Sequence, residues 1–92
     1  MERLYERIRR ALAEERVVFT AHADNRLWER NVERWHLLES FEKGELIEAH
    51  SASRPNPKVL VQQMLPSGEE VIAVWSYVKS IRCAKLVTVY FR

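Results

Sequence analysis

Three basic side chains recur at four-residue intervals near the start of the chain: His22, Arg26 and Arg30. Thr20 precedes them, and threonine is a good N-terminal cap of a helix. On a helix the three lie at about 0°, 40° and 80° around the axis, along the border of its apolar face. An imidazole and two guanidiniums held there can grip a phosphodiester and move its protons. The stripe therefore indicates a phosphate site with acid–base chemistry.

Each of these residues also has a purely structural interpretation. His22 can cap the helix or donate to a buried carbonyl, and Arg30 can pair with Glu33 or Glu39 to fix two helices together. Arg26 is the least easily explained in this way. We therefore keep both interpretations open for the stripe.

The end of the chain supplies a phenol. Residues 86–92 alternate as a strand with one apolar face, which we expect to pack on the helices. The other face then carries Thr88, Tyr90 and Arg92. Tyr90 is a candidate site residue on that face, although tyrosine in a final strand is often only a packing or edge residue.

Helical patterning fills the first half of the chain. Residues 2–15 have amphipathic spacing, and a second helix begins after Thr20. Asn31 ends that helix, because asparagine tolerates the left-handed conformation. A third helix covers residues 33–43, and Gly44 is its expected C-terminal stop.

Strand patterning fills the second half, after a short apolar segment at 17–19 that is an extended link or an edge strand. The predicted strands are 45–51, 58–65, 69–77 and 86–92. A loop at 51–57 and a Pro-Ser-Gly turn at 66–68 separate the first three. We expect an α+β fold in which N-terminal helices pack on one face of a four-stranded, mostly antiparallel sheet, as a single domain over residues 1–92.

Composition narrows the class of protein. The 92 residues are 47% hydrophobic with two glycines and three prolines, which is typical of a globular domain. One cysteine excludes an internal disulfide and favours a reducing cytoplasm. The three histidines lack metal-ligand spacing, and no apolar run approaches about 20 residues. We expect a cytoplasmic protein with no metal, no cofactor and no membrane span.

The net charge of +2 is too small to indicate a polyanionic partner by itself. Four arginines nevertheless crowd the first ten residues, at positions 3, 7, 9 and 10. Glutamates are interspersed among them, so a solvated helix surface explains this cluster at least as well as a nucleic-acid contact.

Two motifs together resemble a bacterial family of small domains of unknown function. Its members carry Thr-x-His-Ala-x-x-Arg-x-x-x-Arg near the start and Thr-x-Tyr near the end. Residues 20–30 match the first motif and residues 88–90 the second. The resemblance covers roughly 17–92, which leaves the first helix, residues 1–16, as an N-terminal addition or a variable part.

That family is similar to the RelE and BrnT toxins of bacterial toxin–antitoxin pairs. The resemblance implies a RelE-like ribonuclease fold, an RNA substrate, an antitoxin protein partner and metal-independent cleavage by attack of a ribose 2′-hydroxyl. It implies His22 as acid or base and Arg26 and Arg30 as phosphate ligands. Tyr90 would bind a phosphate or stack on a base. The alternative function is a non-catalytic protein-interaction domain with the same fold.

Overall fold

The computed structural model describes residues 3–91, which form three helices and five strands and confirm an α+β arrangement. The elements are α1 (Arg3–Ala13), β1 (Val17–Phe19), α2 (Ala21–Glu29), α3 (Arg34–Ser40), β2 (Glu45–His50), β3 (Lys58–Met64), β4 (Glu70–Val78) and β5 (Cys83–Phe91). Within these residues, no helix is both long and apolar enough to cross a bilayer.

The sheet has five strands in the order β1-β5-β4-β3-β2, instead of the expected four. The four long strands pair antiparallel, whereas β1 runs parallel to β5 with Val17 opposite Ala84 and Phe19 opposite Leu86. The sheet is therefore mixed. Of the two interpretations of residues 17–19, the structure confirms the edge strand. Three apolar residues are too few to show a strand period, so only the pairing with β5 decides between a link and a strand.

Local capping sets the limits of α2. The Thr20 side chain accepts a hydrogen bond from the Ala23 N–H, as the sequence predicts. At the other end Asn31 adopts a φ of 57°, which confirms the expected left-handed stop. The N–H groups of Asn31 and Val32 then bond back to the carbonyls of Trp28 and Leu27, the pattern of a Schellman cap.

Gly44 does not end α3 in the way we expected. The helix stops at Ser40, and Gly44 begins the approach to β2 three residues after Phe41. A Cβ atom at Gly44 would lie 2.8 Å from Val61 Cγ1 and 2.9 Å from the Gln62 carbonyl oxygen. The glycine is therefore required by close packing against β3, since any side chain there would collide with that strand.

All three helices pack on one face of the sheet and share one apolar core. The helix face of each strand alternates with an outer face that points away from the helices. On the helix side Ile8 and Leu37 are fully buried with Trp75. The predicted packing of helices on a single face is confirmed.

A buried polar chain joins the centre of the sheet to α3. Trp75 Nε1 donates to Gln63 Oε1 at 2.8 Å, and Gln63 Nε2 donates at 2.8 Å to both the Leu37 carbonyl and Ser40 Oγ. Gln63 is 1% exposed. Because every polar atom of this amide has a partner, the core accepts it without an unsatisfied group.

A β-bulge at Val87 sets the faces of the last strand. Leu86 lies opposite Trp75 and Thr88 lies opposite Val74, so Val87 is an extra residue in β5. Leu86 and Val89 both pack in the core as a result, although they are three residues apart. Thr88 and Tyr90 are thereby placed on the outer face.

We predict that Gln63→Leu lowers the free energy of unfolding by about 2 kcal/mol, because the Trp75 N–H and the Leu37 carbonyl lose their buried partner. Urea unfolding monitored by Trp fluorescence measures the change. Ser40→Ala is the milder control, since it removes only one hydrogen bond of the buried polar chain, the one from Gln63 Nε2 to Ser40 Oγ. A Gln63→Leu protein as stable as wild type would show that the polar chain does not stabilise the fold.

Candidate functional site

Thr20 joins α2 to β5 and so creates the site. Its backbone N–H donates to the Leu86 carbonyl at 3.2 Å. Its hydroxyl donates to the carbonyls of Leu86 and Val87 at 3.2 and 3.0 Å, while accepting from the N–H of Ala23. One side chain thus caps the helix and fixes its first turn against the bulge of β5. We call this junction the α2–β5 seam, with Thr20, His22 and Arg26 on the helix and Thr88 and Tyr90 on the strand.

His22 bridges the seam through its imidazole. His22 Nε2 lies 2.9 Å from Thr88 Oγ1, and the ring remains exposed to solvent. A Thr88 hydroxyl that accepts from Nε2 selects the tautomer in which Nδ1 keeps its lone pair. The contact thus holds an accessible imidazole against a side chain of the outer face of β5.

Tyr90 stands next to Thr88 on that outer face. Thr88 lies opposite Val74 and Tyr90 lies opposite Ile72. Because the two are alternate residues of one strand, both side chains point to the same side of the sheet. Tyr90 is 48% exposed. The structure therefore places His22, Thr88 and Tyr90 on one side of β5.

Arg26 is the side chain of the basic stripe that remains available. It lies one helical turn after His22 and is exposed. Among the residues at 3–91 it forms no ion pair and no side-chain hydrogen bond. A solvated guanidinium beside an oriented imidazole can accept an anion without first giving up a protein partner.

Arg30 is already held by the protein. Its Nη1 lies 3.6 Å from Glu69 Oε2, and its guanidinium carbon lies 4.3 Å from the centre of the Phe91 ring. In a structural role, Arg30 was expected to pair with Glu33 or Glu39. Its partner in the structure is instead Glu69, at the β3–β4 hairpin. Arg30 therefore fastens the end of α2 to β5 and to the β3–β4 turn.

A second clamp lies on the far side of α2 and was missed by sequence reasoning. Arg34 donates to both carboxylate oxygens of Asp24, at 3.0 and 2.6 Å, and its guanidinium lies 4.5 Å from the Phe19 ring centre. The hydrogen bond from Arg34 holds the pKa of Asp24 below its usual value, against the opposing effect of burial. Asp24 and Arg34 are ten residues apart, with a turn between their two helices, so no helical spacing in the sequence indicates this pair.

The tryptophans divide between core and surface. Trp75 is fully buried in the core. Trp28 is 85% exposed on α2 and Trp35 is 51% exposed on α3. Two large apolar side chains thus face solvent on neighbouring helices, away from the core.

Comparison with known proteins gives one match. The family described as "Domain of unknown function (DUF4258)" matches residues 19–91, which include the whole α2–β5 seam and exclude α1. No curated protein and no solved structure matches the chain.

We predict that Thr20→Val destabilises the protein by about 1–2 kcal/mol, because it removes the helix cap and the hydroxyl that bonds to β5. Thr20→Ser is the matched control, since it keeps the hydroxyl. Chemical denaturation of the three proteins measures the effect. A valine variant as stable as wild type, beside a destabilised serine variant, would show that the methyl group, and not the hydrogen bonding, holds the seam.

Proposed function

We propose that this chain, which belongs to the DUF4258 family of domains of unknown function, is a toxin-like endoribonuclease that cleaves RNA at the α2–β5 seam without a metal. The observation that carries the proposal is the 2.9 Å contact between His22 Nε2 and Thr88 Oγ1. That contact unites the helix motif and the strand motif in one place. It orients an exposed imidazole beside the unpaired guanidinium of Arg26 and on the same side of β5 as Tyr90.

The proposed reaction is attack of a ribose 2′-hydroxyl on the adjacent phosphorus. Nδ1 of His22 accepts the hydroxyl proton while the new oxygen–phosphorus bond forms. The bond from phosphorus to the 5′-oxygen then breaks, and that oxygen leaves with a proton from water. One product ends in a cyclic phosphate and the other in a 5′-hydroxyl.

Arg26 has the role of stabilising the negative charge that gathers on the phosphoryl oxygens. A guanidinium donates two parallel N–H groups, which suits a phosphate better than a single ammonium. Tyr90 can donate to another phosphate oxygen or stack on a base. Arg30 contributes a more distant positive charge, because Glu69 and Phe91 already hold it in place.

The RelE-like fold and the antitoxin partner are further parts of this proposal. They are supported by the resemblance of residues 20–30 and 88–90 to the motifs of small toxin-like domains. Helices on one face of a sheet leave the other face with Thr88 and Tyr90 for a substrate. An antitoxin that covers this face would block access of RNA to His22.

A second candidate function is a non-catalytic protein-interaction domain. The exposure of Trp28 and Trp35 favours it, because exposed tryptophan is enriched where proteins bind one another. Under this alternative the His22–Thr88 contact only fixes α2 to β5. Growth arrest on induced expression of wild type, but not of His22→Ala, distinguishes the nuclease from the interaction domain.

Arg26→Ala is expected to lower RNA cleavage by about 100-fold, the effect of removing one donor that stabilises transition-state charge. Its unfolding free energy should stay within about 0.5 kcal/mol of wild type, because Arg26 has an exposed side chain with no partner among residues 3–91. Single-turnover cleavage and thermal melts measure both quantities. Arg54→Ala, a loop arginine, is the matched control; a collapse in the melting temperature of Arg26→Ala would instead support a structural role.

Cleavage of labelled RNA should persist in excess EDTA, because the proposed acid–base and cationic groups are all side chains of the chain itself. A DNA strand of the same sequence should remain intact, since it has no 2′-hydroxyl to attack phosphorus. The cut RNA should carry a cyclic phosphate, which mass spectrometry identifies. Loss of cleavage on chelation, or equal cutting of DNA, contradicts the proposed mechanism.

A further inference from the structure

A basic groove lies between α1 and the start of β5, apart from the α2–β5 seam. Its volume is about 820 Å³. Six cationic side chains line it: Arg3, Arg7, Arg10, Arg16, Lys79 and Arg82. We call it the α1 groove. The residues that α1 contributes lie outside the range of the family match, so the match does not cover this surface.

The acidic residues of the α1 groove do not neutralise it. Glu6 and Glu14 also line it. Glu14 is paired with Arg16 at 2.9 Å, and Glu6 with Arg9, which is not a lining residue, at 3.0 Å. Among residues 3–91, the other cationic groups of the groove form no ion pair with a carboxylate. Such a concentration of like charge attracts an anion to the groove.

Arg82 occupies a backbone position that disfavours its residue type. It lies in the β4–β5 turn at a φ of 54°, where glycine or asparagine is favoured. The Arg16 guanidinium donates to its carbonyl oxygen. The Arg82 side chain lines the α1 groove from this position, where an uncharged residue would be favoured by the backbone.

The composition of the groove favours a nucleic-acid strand as the ligand. Five of the six cations are arginines, which bind phosphate bidentately. The Tyr77 ring also lines the groove, with the Arg7 guanidinium carbon 5.9 Å from its centre. Cations combined with an aromatic ring are the means by which proteins bind single strands without sequence preference.

We infer that the α1 groove binds the phosphate backbone of a single-stranded nucleic acid, as a second site separate from the α2–β5 seam. Arg16 precedes β1 and His22 follows it, so the edge strand separates the two sites along the chain. Binding in the groove does not require cleavage at His22. DNA and RNA share the phosphate chemistry, and both should bind.

Fluorescence anisotropy with labelled oligothymidine and oligouridine of about 12 nucleotides tests this inference. The double variant Arg10→Gln/Arg82→Asn should bind both about tenfold more weakly at about 0.1 M salt, with a salt slope reduced by about 1.4. Its melting temperature should be no lower than that of wild type, because asparagine accepts the positive φ. Lys43→Gln/Arg54→Gln removes the same charge elsewhere and should bind as wild type does.

Three results would overturn the α1 groove as a nucleic-acid site. The first is binding by the groove variant within twofold of wild type, and the second is an equal loss of affinity in the control variant. The third is competition by polyglutamate that is as effective, at equal charge, as competition by the oligonucleotides. Because oligothymidine has no 2′-hydroxyl, its binding reports on the groove whether or not the chain cleaves RNA. Failure of the nuclease proposal and failure of this inference are therefore separate outcomes.

Discussion

One threonine hydroxyl fixes the position of the candidate site. Thr20 caps α2 and at the same time bonds to the two carbonyls of β5 beside the bulge. Without that junction, α2 would still pack through its apolar residues, but the position of its first turn along β5 would not be fixed. The His22–Thr88 contact depends on that position, because a hydrogen bond tolerates a displacement of only a few tenths of an ångström between its partners.

Rigidity and reactivity are divided between different parts of the fold. The centre of the sheet is held by apolar packing and by the satisfied amide of Gln63 beneath Trp75. The candidate sites lie at the edge of the sheet, where β1 ends and α2 begins, and where α1 meets the turn before β5. Exposed cations can remain without partners in these places, because water solvates them and the core does not depend on them.

Local signals in the sequence predicted local structure well. The cap at Thr20, the stop at Asn31 and the hairpin around residues 66–68 each depend on a few adjacent residues, and the structure contains all three. The resemblance of two distant motifs also selected residues that meet at the seam. These features need no knowledge of which strands are neighbours.

Features that depend on distant pairing were not predictable in the same way. The parallel pairing of residues 17–19 joins segments that are nearly three quarters of the chain apart. The partner of Arg30 is Glu69 for the same reason, since the nearer glutamates were the plausible candidates by sequence alone. The charge of the α1 groove likewise comes from residues that only the fold brings together.

The bulge at Val87 makes the candidate site depend on the main chain of β5 as much as on its side chains. In an unbroken strand starting from Leu86, Thr88 and Tyr90 would point into the core and Val89 would point outward. Deleting Val87 itself would restore regular alternation and leave Thr88 and Tyr90 on the outer face, but it would remove the Val87 carbonyl that accepts from the Thr20 hydroxyl. Position 87 can therefore tolerate a change of side chain more readily than a deletion, because its contribution to the seam is a main-chain oxygen.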